Sequence, residues 1–591
     1  MSNKRLEALR NEMNERQLDA FIIFGTDPHK SENVSPRWRS REWISGFTGS
    51  AGTIVITREV AGLWTDSRYF LQADEQVKDS DFSVFKVGLE GVLDYTDWLS
   101  TTLAEGSSVG VSADEISVSL YRTISEALKG KVISLIPSED LLDIIWDGRP
   151  AIPHEPIREL PLSVTGSSRE EKISEVRKIA LKKGSGSVLL TSLDDIAWLM
   201  NLRGGDVDHN LLFMSYCLIT QESVFLFGNI RHLSAVKGLA DQVQLMPYGS
   251  IFNKLKEEME RQSSLYISPD KVNMELFTLI PATVSLIEGR DITTDLKCVK
   301  NETELEGMRQ AHRQDGAALV SFLHWLDTGW DSDNQPLDEV LFAERLLTFR
   351  EQRKTFLEES FSPIVGFKDH GALNHYSATP ETAYPITGDG LMVLDSGGQY
   401  TDGTTDITRT LLFGKATQQQ IDDYTAVLKG HLSLGSQHFP DDTCGYQLDA
   451  IARMWLWNEG KQYRHGTGHG VGHMLNVHEG PHVINQRPIN VPLKRGMVVS
   501  NEPGVYREGS HGIRIENLVY VDDAESTEFG HFLTFRDLTF CHYEKRLINK
   551  AALDDTQKAQ IDRYHESVYT QLKDLVTEEV ADWLKEKTMP L

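Results

Sequence analysis

Cysteine is scarce: Cys217, Cys298, Cys444 and Cys541 are the four in 591 residues, and none forms a CxxC pair. That excludes a disulfide framework and fits free thiols in a reducing compartment. No stretch approaches 18 uninterrupted apolar residues, which excludes a membrane-spanning helix. The opening MSNKRLEALRNEMNERQLDA lacks the apolar core of a secretory signal. Positive charge is also short, with 60 Lys and Arg against 87 Asp and Glu and a formal net charge of -27. Nucleic acids and anionic membranes are bound through clustered Lys and Arg, so neither is expected as a partner. A cytoplasmic location is the simplest expectation.

What is present is a globular composition, 40% hydrophobic and 25% charged, on a chain too long for one core; about two to four domains are expected. Leu6, Leu9, Met13 and Leu18 mark one helix face, followed by the apolar run 20–24, the Gly-rich turn and strand of SGFTGSAGTIVIT, and a further strand around Leu63. A weaker copy follows residue 168. EEKISEVRKIALKKGSGSVLLTS gives helix then strand, and DDIAWLMNLRGGDVDHNLLFMSYCLIT parallels SREWISGFTGSAGTIVIT. We read a duplicated α/β domain, 1–155 and 156–298, joined through the Pro-rich stretch 146–163. A third domain, 299–591, opens on a long amphipathic helix whose start carries a capping-box pair, Asn301 and Glu304. The 547–583 tail is helix-patterned and is expected to pack back onto this domain.

The third domain holds the chemistry. Asp395 ends the apolar strand LMVL, and Asp406 precedes the alternating ITRTLLF. A hairpin turning at Asp402-Gly403 brings both carboxylates together. Glu502 follows MVVS, and Glu516 lies in GIRIEN. Acidic residues flanked by Val and Ile on strands are costly to bury unless paired or metal-bound. Arg514 points to the strand face of Glu516 and suits the orientation of a carboxylate ligand. With His469, these form a set of four carboxylates and one imidazole. The set is hard and oxygen-rich, favouring Mn, Co, Fe or Zn over a thiolate zinc site, and it can hold two divalent ions about 3.5–4 Å apart for hydrolysis.

Three local matches fail. His465, His469 and His473 are spaced by four, but RHGTGHGVGH is too glycine-rich for a helix and lacks the Lys-Ser/Thr of a phosphate loop. His478-Glu479-Gly480-Pro481-His482 spells HExxH, yet Gly-Pro breaks the helical turn that motif needs.

The ordered set Asp395, Asp406, His469, Glu502 and Glu516, within DGTTDITRT, HGTGHGVGHMLNVHEGP, NEPGVY and GIRIEN, resembles the M24 family of metallopeptidases. The likeness is to its Xaa-Pro aminopeptidase branch, and SGFTGSAGTIVITREVAGLWTDSRYFLQA and AWLMNLRGGDVDHNLLFMSY extend it to the long, three-domain members. It implies two creatinase-like α/β domains ahead of a C-terminal pita-bread catalytic domain. It further implies two divalent metal ions per subunit, Mn2+ foremost with Zn2+ or Co2+ as alternatives, a homodimer, and removal of an N-terminal residue when proline is second. By position, His375, His465 and His478 correspond to the family's substrate-binding histidines, and Glu502 to a ligand that also moves protons. His473 departs from the pattern, which has a small or polar residue there, and is expected to alter the pocket lining. The same ligands serve a prolidase, which carries one domain ahead of the catalytic one rather than two. Methionine aminopeptidases lack both large N-terminal domains. A non-catalytic binding relative would lose ligands, and all five are kept here.

Overall fold

The computed structural model describes residues 2–330 and 334–591. The chain forms two compact units. One comprises Met1–Leu160, Ser167–Asp208 and Leu212–Thr293, and the other Pro161–Gly166, His209–Leu211 and Thr294–Leu591.

The first unit contains the same sheet twice. In the first half the strand order is Phe82–Lys86, Ala61–Thr65, Thr53–Thr57, Ala20–Ile23, Ser108–Ser112, Ser134–Ser138. In the second it is Gln244–Pro247, Val224–Gly228, Tyr216–Ile219, Val188–Leu190, Ser264–Ile267, Ser285–Glu288. Each sheet has an antiparallel meander at its centre flanked by parallel pairs, in the same positions. The two halves share apolar packing, with Val55, Trp64 and Val109 in one cluster with Leu218, Phe227 and Leu265. Buried His29 bridges them, one ring nitrogen on the Thr191 carbonyl and the other on the Tyr248 hydroxyl. This shared core is why two similar halves make a single unit.

The second unit opens with the helix Glu302–Thr328, and both bonds of the Asn301/Glu304 capping box are present. Met308, Ala311, Leu319 and Leu323 are buried along it. The strands Ile364–Phe367, Gly390–Ser396 and Ile407–Phe413 form one antiparallel sheet. A second sheet contains Val498–Asn501 next to Asn517–Thr527, and Gly504–Arg507 pairs with His511–Arg514 as a hairpin. The helices Asp555–Leu572 and Glu578–Lys587 bury Ile561, Val568, Leu572 and Leu584 in the same cluster as Val427 and Ile513, so the tail packs onto this unit. No helix among the described residues is long and apolar enough to cross a membrane.

Candidate active site

Strand ends deliver the acidic residues to one place. Asp395 lies opposite Thr408, so Asp406, just ahead of its strand, falls beside it. Glu502 directly follows Val498–Asn501. Glu516 sits in a two-residue break between His511–Arg514 and Asn517–Thr527, rather than on a continuous strand. Glu516 and Arg514, two residues apart, nevertheless both meet the Thr408 hydroxyl, as side chains on one face of an extended chain do.

His469 arrives on Gly468–His469, a short strand and not a helix. Gly468 is needed there, because a Cβ would stand 1.9 Å from the Ser500 carbonyl oxygen. The His469 amide donates to Ser500 Oγ at 2.9 Å, and that hydroxyl donates to Glu502 Oε1, also at 2.9 Å. One serine thus sets the spacing of imidazole and carboxylate.

The donor set fits a cation. His469 Nδ1 is 2.9 Å from the Gly470 carbonyl, an acceptor, so Nδ1 carries the proton and Nε2 presents a lone pair. That lone pair faces Asp406 Oδ2 and Glu502 Oε1, each at 3.5 Å. These separations exceed good hydrogen bonds, and acceptors facing acceptors repel unless a cation lies among them. One ligand atom from each of Asp406, His469 and Glu516 lies within 4.8 Å of the others. Asp395 Oδ1 and Asp406 Oδ1 are buried without a hydrogen-bond partner. Burial pushes the Asp395 carboxyl up to about 6, with Arg514 opposing and Asp406 adding. Glu516 is raised well above the carboxylate range by burial, then by Asp406, Glu502 and Asp395. A divalent cation relieves both effects.

Arg514 organises the floor. It donates from Nη2 to Asp395 Oδ2 at 2.5 Å, from Nη1 to the Tyr506 hydroxyl at 2.7 Å, and from Nε to Thr408 Oγ1 at 3.1 Å. Thr408 in turn donates to Glu516 Oε2 at 2.7 Å. The carboxylate that Arg514 holds directly is therefore Asp395, and Glu516 is reached through Thr408. Tyr506, already receiving Arg514, gives its own proton to His465 Nε2 at 2.9 Å. His465 Nδ1 donates to the Gly466 carbonyl at 2.7 Å. Both ring nitrogens of His465 are thus engaged, and burial holds its imidazole down to about 3, keeping it neutral. Burial pushes the Tyr506 phenol up to about 12.

The remaining histidines divide between the site and the scaffold. Exposed His478 meets the His469 ring edge-on at 4.3 Å between centroids. Half-buried His375 lies close enough for its charge to act on His465. His473 is buried, its Nε2 2.9 Å from the Asp402 carbonyl, and so braces the 402 turn. The HExxH stretch is not helical. Its Glu479 is buried in ion pairs with Lys300 at 2.6 Å and Lys297 at 3.1 Å. Sequence reasoning missed Tyr506, Thr408 and Ser500. All three stood in quoted motifs, but only tertiary partners reveal what their hydroxyls do.

Residues 306–523 match the model of metallopeptidase family M24, and 531–591 match the C-terminal region of peptidase M24. Residues 5–145 and 148–304 match two models of a creatinase/prolidase N-terminal domain. The chain is 37% identical, over its whole length and 94% of the relative's, to the probable Xaa-Pro aminopeptidase P of Laccaria bicolor. It is 38% identical to the protein of that name from Paracoccidioides brasiliensis, covering all of this chain and 99% of the relative. Among solved structures, an X-prolyl aminopeptidase from Caenorhabditis elegans, described as a cytosolic enzyme with a di-nuclear active site, superposes with a TM-score of 0.95 at 30% identity, covering both chains fully. An Xaa-Pro dipeptidase from Bacillus anthracis shares the fold alone, with a TM-score of 0.52 at 22% identity over 64% of this chain and 99% of the other.

Proposed function

The chain belongs to metallopeptidase family M24, and from that premise we propose that it is an Xaa-Pro aminopeptidase, cleaving the bond between an N-terminal residue and a following proline. The observation that carries this is the His469 lone pair facing Asp406 and Glu502 at 3.5 Å each, with Glu516 alongside. Asp395, Asp406, His469, Glu502 and Glu516 would hold two divalent ions, with manganese first and zinc or cobalt suited to the same donors. When bound, such a pair supplies Lewis-acid activation of water and of the scissile carbonyl.

The chain's own groups do the rest. Glu502, half-buried and steadied at Oε1 by Ser500, takes the proton of the attacking water and returns it to the leaving proline nitrogen. His375 and His478, at the open side, donate to the developing oxyanion. His465 lends its ring face and its neutral state, because its nitrogens are taken by Tyr506 and Gly466. Arg514 holds Asp395 by Oδ2 and leaves Oδ1 for a cation. An X-Pro amide has no N–H and a fixed φ, so selection rests on shape rather than on an amide hydrogen bond. The three-domain division at 155 and 298 belongs to the same proposal, supported by the doubled sheet, as do a cytoplasmic location, supported by the similarity to a cytosolic enzyme, and a homodimer, which rests on the family resemblance alone.

The test compares a metal-loaded preparation on an Xaa-Pro dipeptide and on an Xaa-Pro-Xaa tripeptide. Faster release of the first residue from the tripeptide is expected. A strong preference for the dipeptide would make the protein a prolidase instead.

A further inference from the structure

Between the strands Ile364–Phe367 and Gly390–Ser396 the chain makes an excursion that carries His375. Apart from the 3-10 turn Lys368–Ala372 it has no regular structure, so its polar groups need partners from elsewhere. Glu339, the first residue of the helix Glu339–Glu351 and fully buried, supplies many of them. Its Oε1 accepts the Phe367 amide at 2.7 Å, and its Oε2 accepts the Tyr384 amide at 2.8 Å and the Tyr376 hydroxyl at 2.9 Å. His370 Nδ1 lies 3.0 and 2.9 Å from the two oxygens.

Every one of these donors belongs to 367–384, and Tyr376 adjoins His375. The His370 ring stacks on Tyr384 at 3.6 Å and tilts against Tyr376 at 4.4 Å, so the donors also brace one another. On its other side the excursion presses against the hairpin that carries Tyr506 and Arg514. A Cβ on Gly512 would stand 1.6 Å from the Gly371 oxygen. An acidic residue at a helix start ordinarily faces solvent and complements the helix dipole. Turned inward, Glu339 is tolerated only because its lone pairs are filled.

We propose that Glu339 is a positioning residue for peptide hydrolysis, fixing the 367–384 segment so that His375 stands correctly against the scissile bond. This rests on the reading of His375 as an oxyanion donor. Glutamine at 339 cannot substitute, because each oxygen faces at least two donors and an amide NH2 would oppose them in either orientation.

The test is a double-mutant cycle of Glu339→Gln and His375→Ala in the metal-loaded full chain, on an Xaa-Pro-Xaa peptide. Each single change is expected to lower kcat by about ten- to a hundredfold, with KM and bound metal near wild type for Glu339→Gln. Adding Glu339→Gln to His375→Ala should cost under about twofold more, the mark of residues acting as one. A purely structural role predicts the same loss in both backgrounds, and that result, or an unchanged kcat for Glu339→Gln, overturns the proposal. A fully active His375→Ala refutes the reading of His375 itself, and the proposal falls with it. If Glu339→Gln does not fold, Tyr376→Phe removes a single donor and runs the same cycle under the same criteria.

Discussion

Arg514 is buried, and its three donating nitrogens serve Asp395, Tyr506 and Thr408 in one plane. Lysine is a point charge on a flexible stem and cannot reproduce that fork. Arg514→Lys is therefore expected to cost about 10–100-fold in metal affinity or turnover, read from metal titrations followed by activity. Wild-type values for both would remove Arg514 from the site's support. Asp406→Asn and Glu516→Gln each weaken a donor where ligand atoms converge within 4.8 Å, so both are expected to abolish turnover and lower bound metal. Full activity at normal metal content would show the ligand set to be wrong. Much at this scale was legible, since strand-ending acids and a glycine-cradled histidine are unusual enough to mark themselves. Tyr506 was not legible: its hydroxyl gains meaning only from His465, 41 residues away, and from Arg514 across the hairpin.

At the scale of elements, the histidine-bearing loops are held from behind by buried polar groups. Arg453, paired with Asp449 at 2.6 Å, donates to the His465 carbonyl at 2.8 Å. Glu479, next to His478, is clamped by Lys297 and Lys300. Removing one member of a buried ion pair typically costs about 3–5 kcal/mol. Lys300→Met is expected to destabilise the second unit by that order in denaturant unfolding, and to lower kcat by releasing the 478 loop. Unchanged stability would mean the clamp contributes nothing. The capping box at Asn301 could be read from the sequence because its partners lie three residues apart. The Lys300–Glu479 pair could not, because 179 residues separate its members and HExxH lent Glu479 a different meaning. The Glu516 break was hidden in the same way, since alternation of Ile and Val predicts a strand straight through it.

Across the whole molecule, the duplication was legible because helix, glycine turn and strand recur in order, whereas the shared core joining the halves depends on which faces meet. Buried titratable groups of opposite sign are spread through the fold. Burial holds His431 and His565 down to about 3, and pushes Asp537 up to about 6. As pH falls below about 6.5 the unfolded chain takes up protons on its histidines that the folded chain refuses, and stability is lost. A raised carboxyl such as Asp537 binds its proton sooner in the folded chain, and stability is gained as pH falls from about 6 to 4. These opposing slopes make a single group best seen by substitution. His565→Gln, which keeps an acceptor for the Tyr543 amide, should gain about 2 kcal/mol relative to wild type between pH 7 and pH 5. Parallel losses in the two proteins would contradict that. The central claim is that Asp395, Asp406, His469, Glu502 and Glu516 form a two-ion peptidase centre. Its most direct measurement is bound metal per chain, followed by turnover of an Xaa-Pro-Xaa peptide, on chelator-stripped protein titrated with Mn2+. About two ions per chain are expected, with cleavage appearing as they bind. Failure to bind metal, or full cleavage by the stripped protein, would contradict it.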